Sequence, residues 1–364
     1  MNNGTDNRGS ILVFGAIAMT MFLSFVALTI DVGFGVVTKS ELHNVADAGA
    51  LAGARQLGRI YECLPNPPNC APPFNPSYQA QQTYVLSAGD RALVQNAVTS
   101  VAALNKAGSV PIQIAAADIH IGQWNPATKT LAATTAQPHA VQVTARRDGT
   151  SNGPINTFFA GIMGAQFRTL NVANQATAAL TAVSQVLPGE LEAPIGISKA
   201  WFIGNFCNQN IQFYPTNSPT GCAGWDTFTD APANANRLRN IIDGLAAGTY
   251  TTPGVTAGQT TFQFIGGNVA NALNNFHNLW MAKRDPATHE WQTFVVVYDP
   301  IRNDCSNPSG AIPIVGFATA IITNVLAPPA GMLVVGRVEC NLVEGGRGGG
   351  GQYGTLGSIP GLVQ

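Results

Sequence analysis

The chain has 364 residues, enough for one large domain or two ordinary ones, each burying its own core. Charged residues make up only 10% of it, the formal net charge is -1, and no stretch concentrates Lys or Arg. The positive footprint needed to neutralise a phosphate backbone is missing, so nucleic acid is not an expected partner.

Residues 1–10 read as a short polar tail and 11–33 as a membrane anchor. Ile11 to Ile30 (ILVFGAIAMTMFLSFVALTI) is twenty residues without a charge, which at 1.5 Å rise per residue spans the hydrocarbon core of a bilayer. A cleaved signal peptide would have a shorter apolar region closed by a small-x-small site, whereas Asp31-Val-Gly-Phe-Gly follows here. Prepilin-type cleavage is not expected either, because the fifth position after Gly9 is Phe14 and not Glu. Asp31 falls at the outer membrane edge, where a carboxylate either pairs with another protein or is solvated at the interface.

Past the membrane, Val36 to Leu57 keeps a helical composition, so the span continues as one long helix to about Gly58. Ala46, Ala50 and Ala54 form a column with Gly49 and Gly53 beside it, a nearly side-chain-free face that another backbone can approach closely. Two readings are open for that face, packing on its own domain and packing on a helix of another subunit. The run from Arg8-Gly9-Ser10 through the apolar span to Asp31-Val32-Gly33, followed by Leu42-His43-Asn44-Val45-Ala46-Asp47-Ala48-Gly49-Ala50-Leu51-Ala52-Gly53-Ala54, resembles the N-terminal signature of the TadG-like (TadE/TadG-like) proteins of the Flp pilus (tight adherence) assembly family. The likeness is close over about the first sixty residues. Beyond them it extends to layout and a few motifs, among them Gly316-Phe317-Ala318 and the glycine-rich C-terminal end. It implies an inner-membrane component of a pilus-assembly or attachment apparatus with its bulk in the periplasm. The implied partners are the inner membrane and other pilus-assembly or envelope proteins, with no cofactor and no small-molecule substrate.

Residues 34–186 read as an extracytoplasmic domain in which a long helix packs on a small antiparallel sheet. Residues 60 to 80 are too rich in Pro for a regular element and make a stapled loop. Asp90 is the expected N-cap of a helix through Lys106, with Leu93, Ala97, Val101 and Leu104 on one face. Strands are expected at Val110 to Ile121, Lys129 to Ala133 and Ala140 to Arg146, with Asn125-Pro126-Ala127-Thr128 as a hairpin turn. Pro154 opens a short apolar helix (INTFFAGIMG), and Phe167 to Val183 is a final strand or pair. A linker is expected at 187–194 and a β-rich domain at 195–364, with strands at Gln292 to Tyr298, Ile314 to Thr323 and Met332 to Val338 and a helix at Val269 to Met281. Gly345 to Gly351 reads as a mobile loop. The expected fold class is therefore α+β: a transmembrane helix continuing into a long amphipathic helix on a small antiparallel sheet, then a β-rich C-terminal domain.

The six cysteines, Cys63, Cys70, Cys207, Cys222, Cys305 and Cys340, form no CxxC pair and no Cys/His cluster at zinc spacing. They fall as three local pairs, and the expected disulfides are Cys63 with Cys70, Cys207 with Cys222, and Cys305 with Cys340. Buried free thiols in a cytosolic protein are the other reading. Charge alone does not orient the anchor, since Arg8 faces Lys39, Arg55 and Arg59 across it. The cysteines favour an oxidising side for residues after about 35, which puts the N-terminus in the cytoplasm.

No P-loop, G-x-S-x-G elbow or HExxH occurs, and His43, His120, His139, His277 and His289 are scattered without metal spacing. Asp226 with Asp230, and Asp299 with Asp304, are loop pairs that either ligate calcium or cap turns. Trp225 beside Cys222 and Trp201 before Cys207 are expected to cover disulfides. No catalytic, cofactor or metal residue is expected, and a non-catalytic structural role leads. The alternatives are a surface adhesion or envelope-binding module using the loop from Asn205 to Asp230, and an extracytoplasmic hydrolase using Asp226 and Asp230.

Overall fold

The computed structural model describes residues 8–66, 70, 78–203, 209–216, 221–266, 269–300, 304–305, 307–339, 342–350 and 353–364. The chain opens with α1, Arg8–Glu62, a helix of 55 residues, about 80 Å long at 1.5 Å per residue. Its halves differ in what surrounds them. From Leu12 to Ile30 apolar side chains point outward on every face, and this is the one segment among the described residues long and apolar enough to cross a membrane. From Asp31 onward burial becomes periodic, recurring at Gly35, Thr38, Leu42, Val45, Ala46, Gly49, Ala50, Gly53, Ala54, Leu57 and Ile60, the three- and four-residue spacing of a helix with one face in a core.

That face is covered by α2, Ala88–Ala102, and by a five-stranded antiparallel sheet. Four of its strands are β1, Ile119–Asn125, β2, Thr130–Ala133, β3, Ala140–Arg147, and β4, Val172–Ala179. Along β1 and β3 alternate residues turn inward, with Ile119 opposite Val143 and Ile121 opposite Val141, the two-residue period of a half-buried strand. Ser87, not Asp90, caps α2. The Ser87 hydroxyl oxygen accepts the Asp90 amide at 3.0 Å, the N-cap bond, and its proton goes to the Asp90 carboxylate at 2.8 Å. The helix stops at Ala102, short of the expected Lys106, which instead enters a two-residue strand pair with Val110–Pro111. The run after Pro154 is a hairpin rather than a helix: Ile155–Asn156 pairs with Thr169–Leu170, and its tip carries two short 3-10 turns.

The second sheet has seven strands. They are β5, Leu191–Ser198, β6, Asn210–Tyr214, β7, Ala223–Trp225, β8, Thr261–Phe264, β9, Trp291–Tyr298, β10, Gly310–Leu326, and β11, Leu333–Glu339. The order is β6-β11-β10-β9-β5-β7, with β8 on the early part of β10. β5 runs parallel to β9 and every other pair is antiparallel. Two helices, α3, Ala235–Ala247, and α4, Leu273–Lys283, supply Leu238, Ile242, Leu273, Phe276 and Leu279 to a core that also holds Trp225 and Trp291.

Three expectations are corrected here. Residues 191–194, expected in a linker, are the first half of β5, with strands on both sides of it. Pro194 is tolerated because the pairing with β9 is interrupted between Leu191 and Gly196. Gly345 and Gly346, expected in a mobile loop, lie in a strand, β12, Val343–Arg347, parallel to β13, Leu356–Ile359. The C-terminal segment also leaves the second sheet: Val343 enters the core around α1, and β14, Gly361–Leu362, pairs with β4 as the fifth strand of the first sheet. The protein is thus α+β, with a β-rich C-terminal region whose end is tied back to the N-terminal helix.

Candidate functional site

The site follows α1 from its outward-facing apolar half onward. Asp31 lies where the outward-facing apolar half meets the buried half, and it is 6% exposed. Its carboxylate accepts three consecutive backbone amides from the hairpin tip: Phe158 to Oδ1 at 2.6 Å, and Phe159 and Ala160 to Oδ2 at 2.9 and 2.5 Å. The Phe34 and Phe158 rings meet edge to face with centroids 5.4 Å apart. Gly35 lies so close to Leu170 that a Cβ added there would come within 2.8 Å of its Cδ2. Asp31 is therefore neither solvated nor waiting for another chain; it fastens a hairpin 127 residues away. The sequence gives only an uncharged apolar run between Pro154 and Arg168 as a signal of that hairpin.

The small-residue face begins about three turns beyond Gly35 along α1. Ala46, Ala50 and Ala54 are fully buried, and Gly49 and Gly53 face Val98 of α2 and Val143 and Val141 of β3. The close approach that this column permits is thus made to the protein's own helix and sheet. At Gly58 the approach is to main chain: a Cβ would fall on the carbonyl of Ser358 in β13, an oxygen that also accepts from Arg55 at 3.1 Å.

Two disulfides are present among the described residues. Cys63 bonds Cys70, as the short loop suggests. Cys222 bonds Cys305, which corrects the expected pairings of Cys222 with Cys207 and of Cys305 with Cys340. The sheet explains the difference. β7 is antiparallel and β9 parallel to β5, so the start of β7 and the end of β9 meet beside Ser198, whose amide donates to the Cys222 carbonyl and whose hydroxyl donates to the Asp304 carbonyl. Cys207 and Cys340 lie outside the described residues. Trp201 and Trp225 are buried in the same cluster as Cys222, and the Trp225 indole donates to the Phe213 carbonyl at 3.1 Å.

The carboxylate pairs do not assemble a reaction centre. Asp226 is fully enclosed; Oδ1 accepts the Phe228 amide at 2.9 Å and Oδ2 has no hydrogen-bond partner in the protein. Desolvation by burial outweighs that one hydrogen bond and pushes its carboxyl up to about 7. Asp230 accepts nothing that would bring it to Asp226; its own amide and carbonyl close a turn with Thr227. Asp299 pairs with Lys199 at 2.6 Å. Among the described residues no three His, Cys, Asp or Glu side chains gather as metal ligands. His139 is held below the usual imidazole range by burial and its Nε2 accepts the Trp124 amide at 3.2 Å. His43 sits beside Asp47 one turn along α1 at 3.5 Å.

Three charged side chains form a clamp on the second sheet. Arg337 makes a forked pair with Glu290 at 2.7 and 2.9 Å and a third bond to Glu339 at 2.8 Å. The guanidinium holds the Glu290 carboxyl below its usual range, and its donors are shared between the two carboxylates.

Residues 9–56 match the family model Tad, described as Flp pilus-assembly TadE/G-like, and residues 80–182 match Tad_C, described as Tad-like Flp pilus-assembly. The first match ends inside α1, and the second takes in α2 and all of β1 to β4. No curated protein and no solved structure matches the chain. An apolar helix of bilayer length, continuous with a helix-on-sheet domain, coincides with both matches, so residues 9–56 and 80–182 are similar to TadE/G-like and Tad-like Flp pilus-assembly proteins.

Proposed function

We infer that the protein is a non-catalytic structural component of Flp pilus assembly, anchored in the inner membrane by residues 11–33, with its N-terminus cytoplasmic and its folded part in the periplasm. One observation carries this reading: the apolar half of α1 runs without a break into the core of the first domain, so membrane and domain share a single rigid rod. A rod of this kind transmits position and orientation, and the protein acts through contacts with other pilus-assembly or envelope proteins. The two disulfides support an oxidising compartment for residues beyond 35. The buried state of Asp226 supports a role without hydrolysis, because its carboxylate does not reach solvent.

Complementation tests it. In cells lacking the protein, the full chain is expected to restore surface pili, while residues 34–364 exported behind a cleavable signal peptide restore fewer than a tenth as many. The variant Asp226→Asn in the full chain is expected to restore pili fully. Normal piliation from the unanchored version would reject the anchored structural role, and loss of pili in a folded Asp226→Asn protein would favour chemistry at that carboxylate.

A further inference from the structure

The hairpin Ile155–Leu170 that Asp31 fastens has an unusual surface. Ile162 is 86% exposed and Met163 71%, with Phe158, Phe159 and Phe167 also open. Between Thr157 and Phe167 there is no charged residue. The tip does not point away from the anchor; with Leu23, Ala27 and Ile30 of α1, the side chains of Phe159, Ile162 and Met163 line one apolar groove. Leu23 is eight residues before Asp31, about 12 Å down the helix at 1.5 Å per residue, against a hydrocarbon core about 30 Å thick. Any bilayer that surrounds α1 from Ile11 to Ile30 also surrounds the tip.

The backbone of the tip is suited to that position. In hydrocarbon an amide without an acceptor is costly, so irregular chain survives there only when its polar groups are satisfied internally. Phe158, Phe159 and Ala160 donate to Asp31. The amides of Ile162, Gly164, Phe167 and Arg168 donate to carbonyls within the hairpin, and that of Thr157 closes its neck on the Arg168 carbonyl at 3.0 Å. The Thr157 hydroxyl donates to the Phe167 carbonyl at 2.8 Å. The first charged residue on the return, Arg168, stands at the neck, the level at which a cation meets lipid phosphates.

Given a membrane-spanning α1, on which this inference depends, we propose that the hairpin Ile155–Leu170 is a second membrane contact, inserted into the leaflet on the side of the folded domains, and that Asp31 is the positioning residue that holds it there. Its occupant is lipid acyl chain. One helix alone leaves a domain free to tilt and to rotate about the helix axis relative to the membrane; a foot beside the helix removes that freedom, so the domain meets its partners at a fixed height and angle.

The test places a nitroxide at Ile162→Cys in the full chain, reconstituted in vesicles of phosphatidylethanolamine and phosphatidylglycerol. Matching labels at Phe22→Cys on the anchor and Leu104→Cys at the end of α2 give lipid and water references. The expected result is that Ile162 and Phe22 both collide with oxygen and resist a water-soluble nickel chelate, while Leu104 does the reverse. In Asp31→Ala the chelate accessibility at Ile162 is expected to rise several-fold with Phe22 unchanged. A lipid-exposed Phe22 with a water-exposed Ile162 would overturn the inference and leave the anchor intact. Low accessibility of Ile162 to both probes would overturn it in favour of protein covering the tip. A water-exposed Phe22 would overturn the anchor and the inference together, and an unmoved Ile162 in Asp31→Ala would remove Asp31 from its role.

Discussion

Gly58→Leu is expected to destabilise the full chain in detergent by roughly 3 kcal/mol and to free its C-terminal segment. The position is inside α1, where Gly is an intrinsically poor choice and replacing it by Ala would ordinarily gain up to about 1 kcal/mol. Here the Cβ direction is occupied by the Ser358 carbonyl of β13. The obstacle is main chain, which no rotamer change can move, so the overpacking cost of about 1–3 kcal/mol falls at its upper end. Relief requires β13 to part from α1. That movement would loosen the Arg55 bond to Ser358 and the pairing of Gly361 with Ala179. Denaturant midpoints and tryptic cutting after Arg347 read both effects. Gly33→Ala, with nothing within 4 Å of the added carbon, is the control and should be neutral or slightly stabilising. Equal stability of Gly58→Leu and the unsubstituted chain would mean that the C-terminal segment does not clamp the helix.

The second large effect belongs to Asp226. Its carboxyl is pushed up from 3.8 to about 7 by burial, so between those values the folded protein holds a proton that the unfolded chain has released. Stability then falls as pH rises through that window and levels off above about pH 7. A shift of this size corresponds to about 4 kcal/mol across the window. Asp226→Asn removes the ionisation while leaving an oxygen for the Phe228 amide, so the variant should lose most of the slope and exceed the parent in stability at neutral pH. Unfolding midpoints from pH 4 to 8 for both proteins decide it. Parallel curves would mean that Asp226 is ionised and solvated in the folded state.

The long helix and α2 were legible as helices because periodicity is local, but the face of α2 was not: Val94, Val98 and Ala102 are buried, while the expected Leu93, Ala97 and Val101 are only half-buried and Leu104 is exposed. The change at Asp31 from a uniformly apolar run to three- and four-residue spacing marks where the outward-facing half of α1 ends, and β3 shows its inward face by alternation; the strand expected at Val110 to Ile121 is instead Val110–Pro111, a 3-10 turn at Ala116–Asp118 and the start of β1. α3 was missed inside an Asn-rich stretch, although Asn234 at its N-cap, Leu238, Ile241, Ile242 and Leu245 at helical spacing, and Gly248 in the left-handed conformation past its end all mark it. The first half of β5 was hidden by the turn residues Leu187-Pro188-Gly189-Glu190, after which a linker was expected up to Pro194, a residue that occupies an interruption in the ladder. The remaining errors are long-range. Cys222 finds Cys305 only because β7 and β9 flank β5 in opposite directions, and Asp31 finds Phe158 only because a hairpin far along the chain folds back beside the apolar half of α1. No spacing in the sequence encodes either meeting.

The candidate site divides in the same way. The helix face of Ala46, Gly49, Ala50, Gly53 and Ala54 could be read from composition, but whether it serves the protein itself or a neighbour depended on where α2 and β3 pack. Asp31 stood out as a charge beside an apolar run, yet its function is defined by three amides that only the fold supplies. A carboxylate at that boundary costs less than it first suggests, because three amides share its charge and are satisfied in return.

The central claim is that α1 crosses the inner membrane and carries a disulfide-bonded domain on the outer side. Protease protection in spheroplasts, combined with thiol alkylation before and after reduction on non-reducing gels, tests it most directly. The account predicts that everything beyond about residue 35 is digested from outside, and that Cys63, Cys70, Cys222 and Cys305 take up alkylating reagent only after reduction. A chain protected from external protease, with those four cysteines alkylated without reduction, would contradict it.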